Sequence, residues 1–263
     1  MLKYCSIGSG SSGNCHVVTY KDTGILIDAG LAGKTITAGI KHADFDIDKI
    51  QGIFITHEHS DHIKGAGIMS RKLNIPIYAN FKTWCGMKDK IGNIKDENMV
   101  VFENDRTYAL GDIKIRPFSI PHDSEDAVGY NIYSDNEKMS IATDIGYVTD
   151  NIRKNLKGSK LVVLESNYDP NMLMMGSYSY SLKKRVMSEG GHLSNEEAAN
   201  FCTELVNGGT ESILLAHLSK ENNFPELAYA TSKNVLTSND MIIGKDLTLD
   251  VLSRERVSKV YEL

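Results

Sequence analysis

The sequence predicts a mixed protein of the α/β or α+β class, in which two β-sheets are covered by helices on their outer faces. Short runs of β-branched and aromatic residues alternate with segments of helical periodicity along the 263 residues. No stretch rich in Pro, Gly and Ser divides the chain, so we expect one domain over residues 1–263. Hydrophobic residues make up 41% and charged residues 24%, as in a globular protein with a substantial core.

The first third of the chain predicts a β-meander followed by a helix and a buried strand. Three strand-like runs at 2–7, 17–20 and 24–28 are joined by turns, of which the first, at 8–14, is rich in Gly and Ser. A helix is expected at 33–42, and the apolar run 50–56 predicts a buried strand.

Later elements continue the alternation of strands and helices. The helix expected at 194–206 begins with a capping-box pattern of Ser194 and Glu197 and ends at Gly208. Nearly every strand ends beside a His, Asp or Glu. The remaining predictions are a helix at 63–73 and strands at 75–79, 99–102, 113–120, 128–133, 139–143, 161–165 and 212–216.

Charge and composition exclude several classes of protein. The first residues lack the apolar stretch of a secretory signal, and nowhere do about 18 apolar residues run together, so we expect a cytoplasmic protein without a membrane partner. The four cysteines form no C-x-x-C pair, which argues against a thiolate zinc site. A net charge of -5 argues against coating nucleic acid with the whole surface, although a local basic cluster can still bind it.

The segment 57–62, His-Glu-His-Ser-Asp-His, is the strongest functional signal. It places His57, His59, Asp61 and His62 directly after a predicted buried strand. Imidazole and carboxylate groups suit zinc, manganese and iron. The tight spacing lets one loop face two ions, with His57 and His59 toward one and Asp61 and His62 toward the other. Unpaired His and Asp side chains are costly to bury without a metal, so we expect a metal site.

One loop cannot complete two coordination spheres, and three later residues can supply the remaining ligands. His122, Asp144 and His217 each follow a predicted strand. Taken singly, each is better explained as a structural histidine or a helix-capping aspartate. Their shared position after strands favours the ligand interpretation.

The ordered set of residues resembles the metallo-β-lactamase superfamily over almost the whole chain. The resemblance implies a four-layer αββα sandwich with two divalent metal ions at its edge. It also implies that Asp144 bridges the ions and that Asp28 stabilises the His-rich loop by hydrogen bonds. The ligands implied for the first ion are His57, His59 and His122, and those for the second are Asp61, His62 and His217.

Features outside this set separate the branches of the superfamily. Asp144 stands where class B β-lactamases have a cysteine, which disfavours antibiotic hydrolysis. The intervals around Asp144 leave no room for the long arm of tRNase Z or for a β-CASP domain. His192 before Ser194 resembles the His-Ser/Thr motif of tRNA-processing and PhnP-like phosphodiesterases, and Glu165 resembles the glutamate that orients that histidine. Capping of a helix by His192 and a surface role for Glu165 are the alternative interpretations.

Two further segments resemble the YycJ/WalJ family, which implies 5′-to-3′ exonuclease activity on DNA. They are the turn Gly-Ser-Gly-Ser-Ser-Gly-Asn at 8–14 and the stretch from Leu182 to Asn195. Residues 179–181, Ser-Tyr-Ser, depart from that family, which commonly has a proline just before the Leu-Lys pair. Lys183, Lys184 and Arg185 are candidate contacts for the phosphate backbone, as are Ser11 and Asn14 in the glycine-rich turn. A solvated helix face and a simple hairpin turn explain these two segments equally well.

These features predict a metal-dependent hydrolase of phosphodiesters, with DNA as the expected substrate. In this hypothesis Asp61 orients a water molecule and His192, held by Glu165, stabilises or protonates the leaving oxygen. The alternatives are a phosphodiesterase for small cyclic phosphates or cyclic nucleotides, a thioester or lactone hydrolase of the glyoxalase II type, and a metal-binding scaffold without catalysis. Zinc, manganese and iron all suit the donors, and no feature points to a particular oligomeric state.

Overall fold

The computed structural model describes residues 1–263 and contains two seven-stranded sheets. The first has the strand order β14-β1-β2-β3-β4-β5-β6 and the second the order β13-β12-β11-β10-β9-β8-β7. The strands of the first sheet are β1 (Lys3–Gly8), β2 (Cys15–Tyr20), β3 (Thr23–Ile27), β4 (Ile50–Phe54), β5 (Ile77–Asn80), β6 (Met99–Phe102) and β14 (Tyr261–Glu262). Those of the second are β7 (Tyr108–Leu110), β8 (Ile113–Ser119), β9 (Val128–Tyr133), β10 (Lys138–Ala142), β11 (Leu161–Glu165), β12 (Ser212–Ala216) and β13 (Thr248–Val251).

Each sheet combines an antiparallel part with a parallel part. Strands β1 to β3 form the predicted meander, and β3 to β6 run parallel to one another. In the second sheet β7 to β10 are antiparallel neighbours, whereas β10 to β13 are parallel. The carboxyl ends of β8, β10, β11 and β12 therefore lie at one edge of the second sheet. Loops that follow these strands are brought together there.

Nine α-helices lie along the chain. They are α1 (Gly33–His42), α2 (Ser60–Ile63), α3 (Ala66–Leu73), α4 (Phe81–Met87), α5 (Asp150–Leu156), α6 (Pro170–Met175), α7 (Tyr180–Val186), α8 (Asn195–Asn207) and α9 (Pro225–Ser238). Buried side chains of α1, α3 and α4 pack on the first sheet, and those of α5, α8 and α9 pack on the second. None of the helices has the length and apolar character that crossing a membrane requires.

Both faces of the central strands are buried, which explains their nearly continuous apolar sequences. In β3, Ile25 and Ile27 join the core between the sheets, whereas Leu26 joins the core beneath α1 and α3. In β11, Val163 belongs to the core between the sheets and Val162 to the core beneath α8 and α9. The molecule is thus the four-layer αββα sandwich that the sequence predicted.

The predicted helix at 63–73 differs from the structure, in which α2 and α3 are separate. Gly65 lies between them, and its N–H donates a hydrogen bond to the Ala29 carbonyl over 2.7 Å. A Cβ at this position would lie 2.2 Å from the Leu31 carbonyl oxygen. The loop after β3 therefore packs directly against the break, and it keeps the end of the His-rich segment close to the first sheet.

Candidate metal centre

The His-rich segment leaves the end of β4 and runs into α2, with Asp28 beneath it. The N–H of Thr56 donates to Asp28 Oδ1 over 2.8 Å, and the Nδ1 of His62 lies 2.7 Å from Asp28 Oδ2. Because Asp28 engages Nδ1, the Nε2 of His62 is left to face the other side chains, 3.3 Å from Asp144 Oδ2. Asp28 thus contacts and orients the loop that it is predicted to support.

The predicted ligands meet at the edge of the sandwich in two groups. His57, His59 and His122 form one group, whose candidate ligand atoms all lie within 4.8 Å of one another. Asp61, His62 and His217 form a second group by the same measure. The two groups are the sets that the family resemblance implied for the first and second ions.

Asp144 lies between the two groups. Its Oδ1 is 3.7 Å from the Nε2 of His122, a member of the first group, and 3.5 Å from the Nε2 of His217, a member of the second. Asp144 is almost completely buried, as are His57 and His217. The carboxylate is therefore placed where a bridging ligand is predicted.

Four polar atoms at the centre of the cluster have no hydrogen-bond partner although they are buried. They are the Nε2 atoms of His57, His122 and His217 and the Oδ2 atom of Asp144. Buried polar atoms in native proteins are almost always satisfied, so this concentration calls for an explanation. Nitrogen and carboxylate donors that converge without partners fit divalent metal ions.

Three residues of the centre have a left-handed backbone conformation. Asp28 has φ 58°, Asp144 has φ 61° and His217 has φ 55°, and each comes one or two residues after the end of a strand. Asp adopts this region more readily than most residues, whereas for His217 it costs on the order of 1–3 kcal/mol. The turn directs the side chain across the sheet edge into the cluster instead of along the strand.

Glu165 connects His192 to the predicted metal ligands. Its Oε1 lies 2.8 Å from the Nδ1 of His192 and 2.8 Å from the Nδ1 of His217. Its Oε2 accepts hydrogen bonds from the backbone N–H groups of Ile145 and Leu193. The carboxylate is fully buried and takes four donors, so it fixes both rings at once. Since Glu165 engages the Nδ1 of His192, the Nε2 of that ring stays free of Glu165.

Burial and charge shift the pKa values of the histidines in opposite directions. Burial lowers the pKa of His57 well below its usual value, and it also lowers that of His122. For His217, burial is outweighed by the carboxylates of Asp144, Asp61 and Glu165, which raise the pKa to about 10. The second group therefore has a negative environment that attracts cations.

The residues predicted to bind substrate occupy different environments. Asn14 is buried, its amide contacts Gly10 and the Nε2 of His62, and its contact with substrate stays a prediction. Ser11 is exposed and lines a cavity beside His192. Lys184 is exposed, and Lys183 donates to the Met174 carbonyl. Arg185 lines the cavity and forms an ion pair with Asp123.

Two residues of the site are not among those that the sequence analysis predicts. Asp123 pairs with Arg185, and its Oδ1 lies 3.4 Å from the Nε2 of His122. Asn167 donates from Nδ2 to the His217 carbonyl over 2.8 Å. Asp123 adjoins His122 in the chain, so its position could have been noticed. Asn167 contacts a residue fifty positions away, and only the sheet register brings the two together.

Gly30 allows three loops to approach one another, and its replacement is expected to be destabilising. A Cβ there would lie 1.5 Å from the Asp61 carbonyl oxygen, which accepts a 2.8 Å hydrogen bond from the Asn14 N–H. We expect Gly30→Ala to lower the free energy of unfolding by at least about 2 kcal/mol, because backbone must move. Urea unfolding measures this, with Gly208→Ala at the end of α8 as the control. Equal stabilities of the two variants would contradict the expectation.

Comparison with known proteins agrees with this geometry. Residues 23–218 match the family model of the β-lactamase superfamily domain. The chain is 40% identical to exodeoxyribonuclease YycJ of Bacillus anthracis over 93% of its own length and 92% of the relative's. It is 36% identical to exodeoxyribonuclease WalJ of Streptococcus pneumoniae over 100% of its length and 98% of the relative's.

A solved structure supports the same assignment of the fold. The chain superimposes on a diphosphatase from the PhnP family with a TM-score of 0.68 and 17% identity, covering 100% of this chain and 98% of the other. This structural similarity shows the fold alone. The family is shown by the sequence, through the matched family model and the two full-length relatives. The chain therefore belongs to the metallo-β-lactamase superfamily, in the family of the YycJ and WalJ proteins.

Proposed function

We propose that this protein is a metal-dependent exodeoxyribonuclease that degrades DNA from the 5′ end. The observation that carries the proposal is the Glu165–His192 pair, with its 2.8 Å contact, beside a cluster of metal donors. Hydrolysis of a phosphodiester requires activation of the attacking water and protonation of the leaving oxygen. The cluster of metal donors suits the first task, and the Glu165–His192 pair suits the second. The full-length relatives named as exodeoxyribonucleases support DNA as the substrate.

The donor set fits two divalent ions. His57, His59 and His122 would hold one, Asp61, His62 and His217 the other, and Asp144 would contact both. When bound, such ions supply Lewis acidity to the phosphate and lower the pKa of water. Zinc and manganese both suit imidazole and carboxylate donors, and iron is a third candidate.

The remaining roles belong to side chains of the chain itself. Asp61, which is partly exposed, would orient the attacking water through its carboxylate. His192 would hold a proton on Nε2 for the leaving oxygen, because Glu165 engages its Nδ1 and raises its pKa against the effect of burial. Glu165 would act as a positioning residue for His192.

The substrate and the place of action follow from the same proposal. Arg185 at the rim of the site and the exposed Lys184 on the same helix would contact DNA phosphates. All four cysteines are free thiols, as is usual in reducing compartments. We therefore place the protein in the cytoplasm together with its substrate.

The test compares three substrates with one preparation of the protein. Manganese- or zinc-loaded protein is incubated with 5′-phosphorylated duplex DNA, single-stranded RNA and a 2′,3′-cyclic nucleotide, and His59→Ala serves as the background control. Stepwise release from the 5′ end of DNA that is absent in the variant is the expected result. Opening of the cyclic nucleotide with intact DNA would instead assign the protein to small cyclic phosphates.

Metal binding is expected to release protons. In the ion-free protein, burial opposes protonation of His62, but Asp28, Asp144 and Asp61 outweigh it and raise the pKa of His62. The pKa of His217 is raised to about 10, so its ring carries a proton on both nitrogens at pH 7. An ion replaces one of these protons, so zinc affinity should fall as the pH is lowered.

Calorimetry measures this release. Zinc is titrated into ion-free protein in two buffers with different ionisation enthalpies at pH 7. We expect the apparent enthalpy to depend on the buffer, with a slope corresponding to the release of at least one proton per protein molecule. The same enthalpy in both buffers would contradict the expectation.

A further inference from the structure

A polar cavity of about 150 Å³ lies beside His192. Its walls come from six parts of the chain: the glycine-rich turn after β1, the loops after β8, β11 and β12, the segment that contains α7, and the loop before α8. Most of the residues that line the cavity have no role in metal binding or in the proposed hydrolysis. The residues on which the argument depends are Asn167, Tyr178, Leu182, Arg185, His192 and Asn222.

One wall of the cavity is apolar and anchored. Tyr178 and Leu182 pack against a small core of Tyr168, Leu173 and Val186, which is separate from the three large cores. The Tyr178 ring is partly exposed at the cavity. An anchored aromatic ring of this kind is a surface on which a nucleobase or a sugar can pack.

The other side of the cavity offers hydrogen-bonding groups. Asn222 is 1% exposed, and its Oδ1 has no hydrogen-bond partner within the protein. Such a buried acceptor is costly to leave unpaired, and Asn222 is one of the residues that line the cavity. Asn167 donates to the His217 carbonyl and so connects this side of the cavity to the metal donors.

We propose that this cavity binds the terminal deoxynucleotide of the strand that is being degraded. The inference rests on the proposed function. Water attacks phosphorus, the bond from phosphorus to the O3′ of the terminal nucleotide breaks, and O3′ takes a proton from His192. Because His192 serves the leaving oxygen, the leaving nucleotide occupies the space beside His192. The products are a nucleotide with a free 3′-hydroxyl and a strand with a new 5′-phosphate.

The cavity is large enough for part of one nucleotide, since about 150 Å³ receives its base or its sugar. Arg185 stands at the rim with Asp123 as its partner, where a phosphate can compete for the guanidinium.

The test measures binding, so it does not depend on nuclease activity. Zinc-loaded protein is titrated by calorimetry with thymidine 5′-monophosphate and, separately, with inorganic phosphate. We expect wild-type protein to bind the nucleotide at least about tenfold more tightly than phosphate, because the nucleoside packs in the cavity. Tyr178→Ala should weaken nucleotide binding on the order of tenfold and leave phosphate binding unchanged.

Tyr180→Ala is the matched control, because this tyrosine is 81% exposed and does not line the cavity. It should bind both probes as wild type does. Leu182→Trp, which fills the cavity, should abolish the preference for the nucleotide. Equal affinities of wild-type protein for nucleotide and phosphate, or equal effects of the two tyrosine variants, would overturn the proposal. A preference for the nucleotide without degradation of DNA would reject the proposed function but support nucleotide binding in the cavity. Degradation of DNA without that preference would support the proposed function and reject nucleotide binding in the cavity.

Discussion

His192→Ala is expected to lower the rate of DNA hydrolysis by about two to four orders of magnitude while the metal content stays the same. The ring contributes no member to either ligand triad, and its Nδ1 is held by Glu165 at 2.8 Å. Its loss removes a proton donor for the leaving oxygen and leaves the metal donors in place. Rates on 5′-phosphorylated DNA and elemental analysis of the purified variant provide the two measurements.

Two comparisons make this prediction specific. His42→Ala changes an exposed histidine at the end of α1 and should leave both rate and metal content unchanged. Glu165→Gln should lower both, because Glu165 also holds the Nδ1 of His217 at 2.8 Å. His192 can also be grouped with Asp144, Glu165 and His217 as a set of metal donors. Loss of metal from His192→Ala would therefore make the ring a ligand and not a proton donor.

The parts of the site that the sequence predicts are local. The His-rich segment shows its character within six residues, and the apolar run before it identifies the strand that carries it. His122, Asp144 and His217 could be proposed because each follows a strand, and the fold follows from their order together with the family resemblance. These residues could be singled out because each stands at the end of a strand, and their role as metal ligands stays a prediction.

The parts that the sequence does not predict depend on contacts between distant residues. Glu165 contacts His217 as well as its predicted partner His192, because β11 pairs in parallel with β12 and makes Glu165 and Ala216 register partners. The left-handed conformation of Asp144 and His217 has no pattern in the sequence. Helix α9 was not predicted because Ala228 and Ser232 form much of its buried face, and their small side chains give little hydrophobic periodicity.

The second large effect is expected from Asp144→Asn, which keeps the size of the side chain and removes its charge. Asp144 is the one carboxylate within reach of both ligand groups, 3.7 Å from the Nε2 of His122 and 3.5 Å from that of His217. Two divalent ions in one cluster repel each other, and a carboxylate between them offsets the repulsion. We expect the affinity for the second ion to fall by more than about 100-fold, beyond the effect of losing a residue that only supports a ligand.

Elemental analysis and thermal unfolding with and without zinc distinguish this effect from general damage. Wild-type protein should gain thermal stability on zinc addition, because the ions bind the folded state only, and Asp144→Asn should lose most of that gain. Asp22→Asn, at an exposed aspartate paired with Lys49, should keep it. Two tightly held ions in Asp144→Asn would show that the histidines, together with Asp61, suffice. Asp144 would then stabilise the turn after β10 and would not be needed to bind the ions.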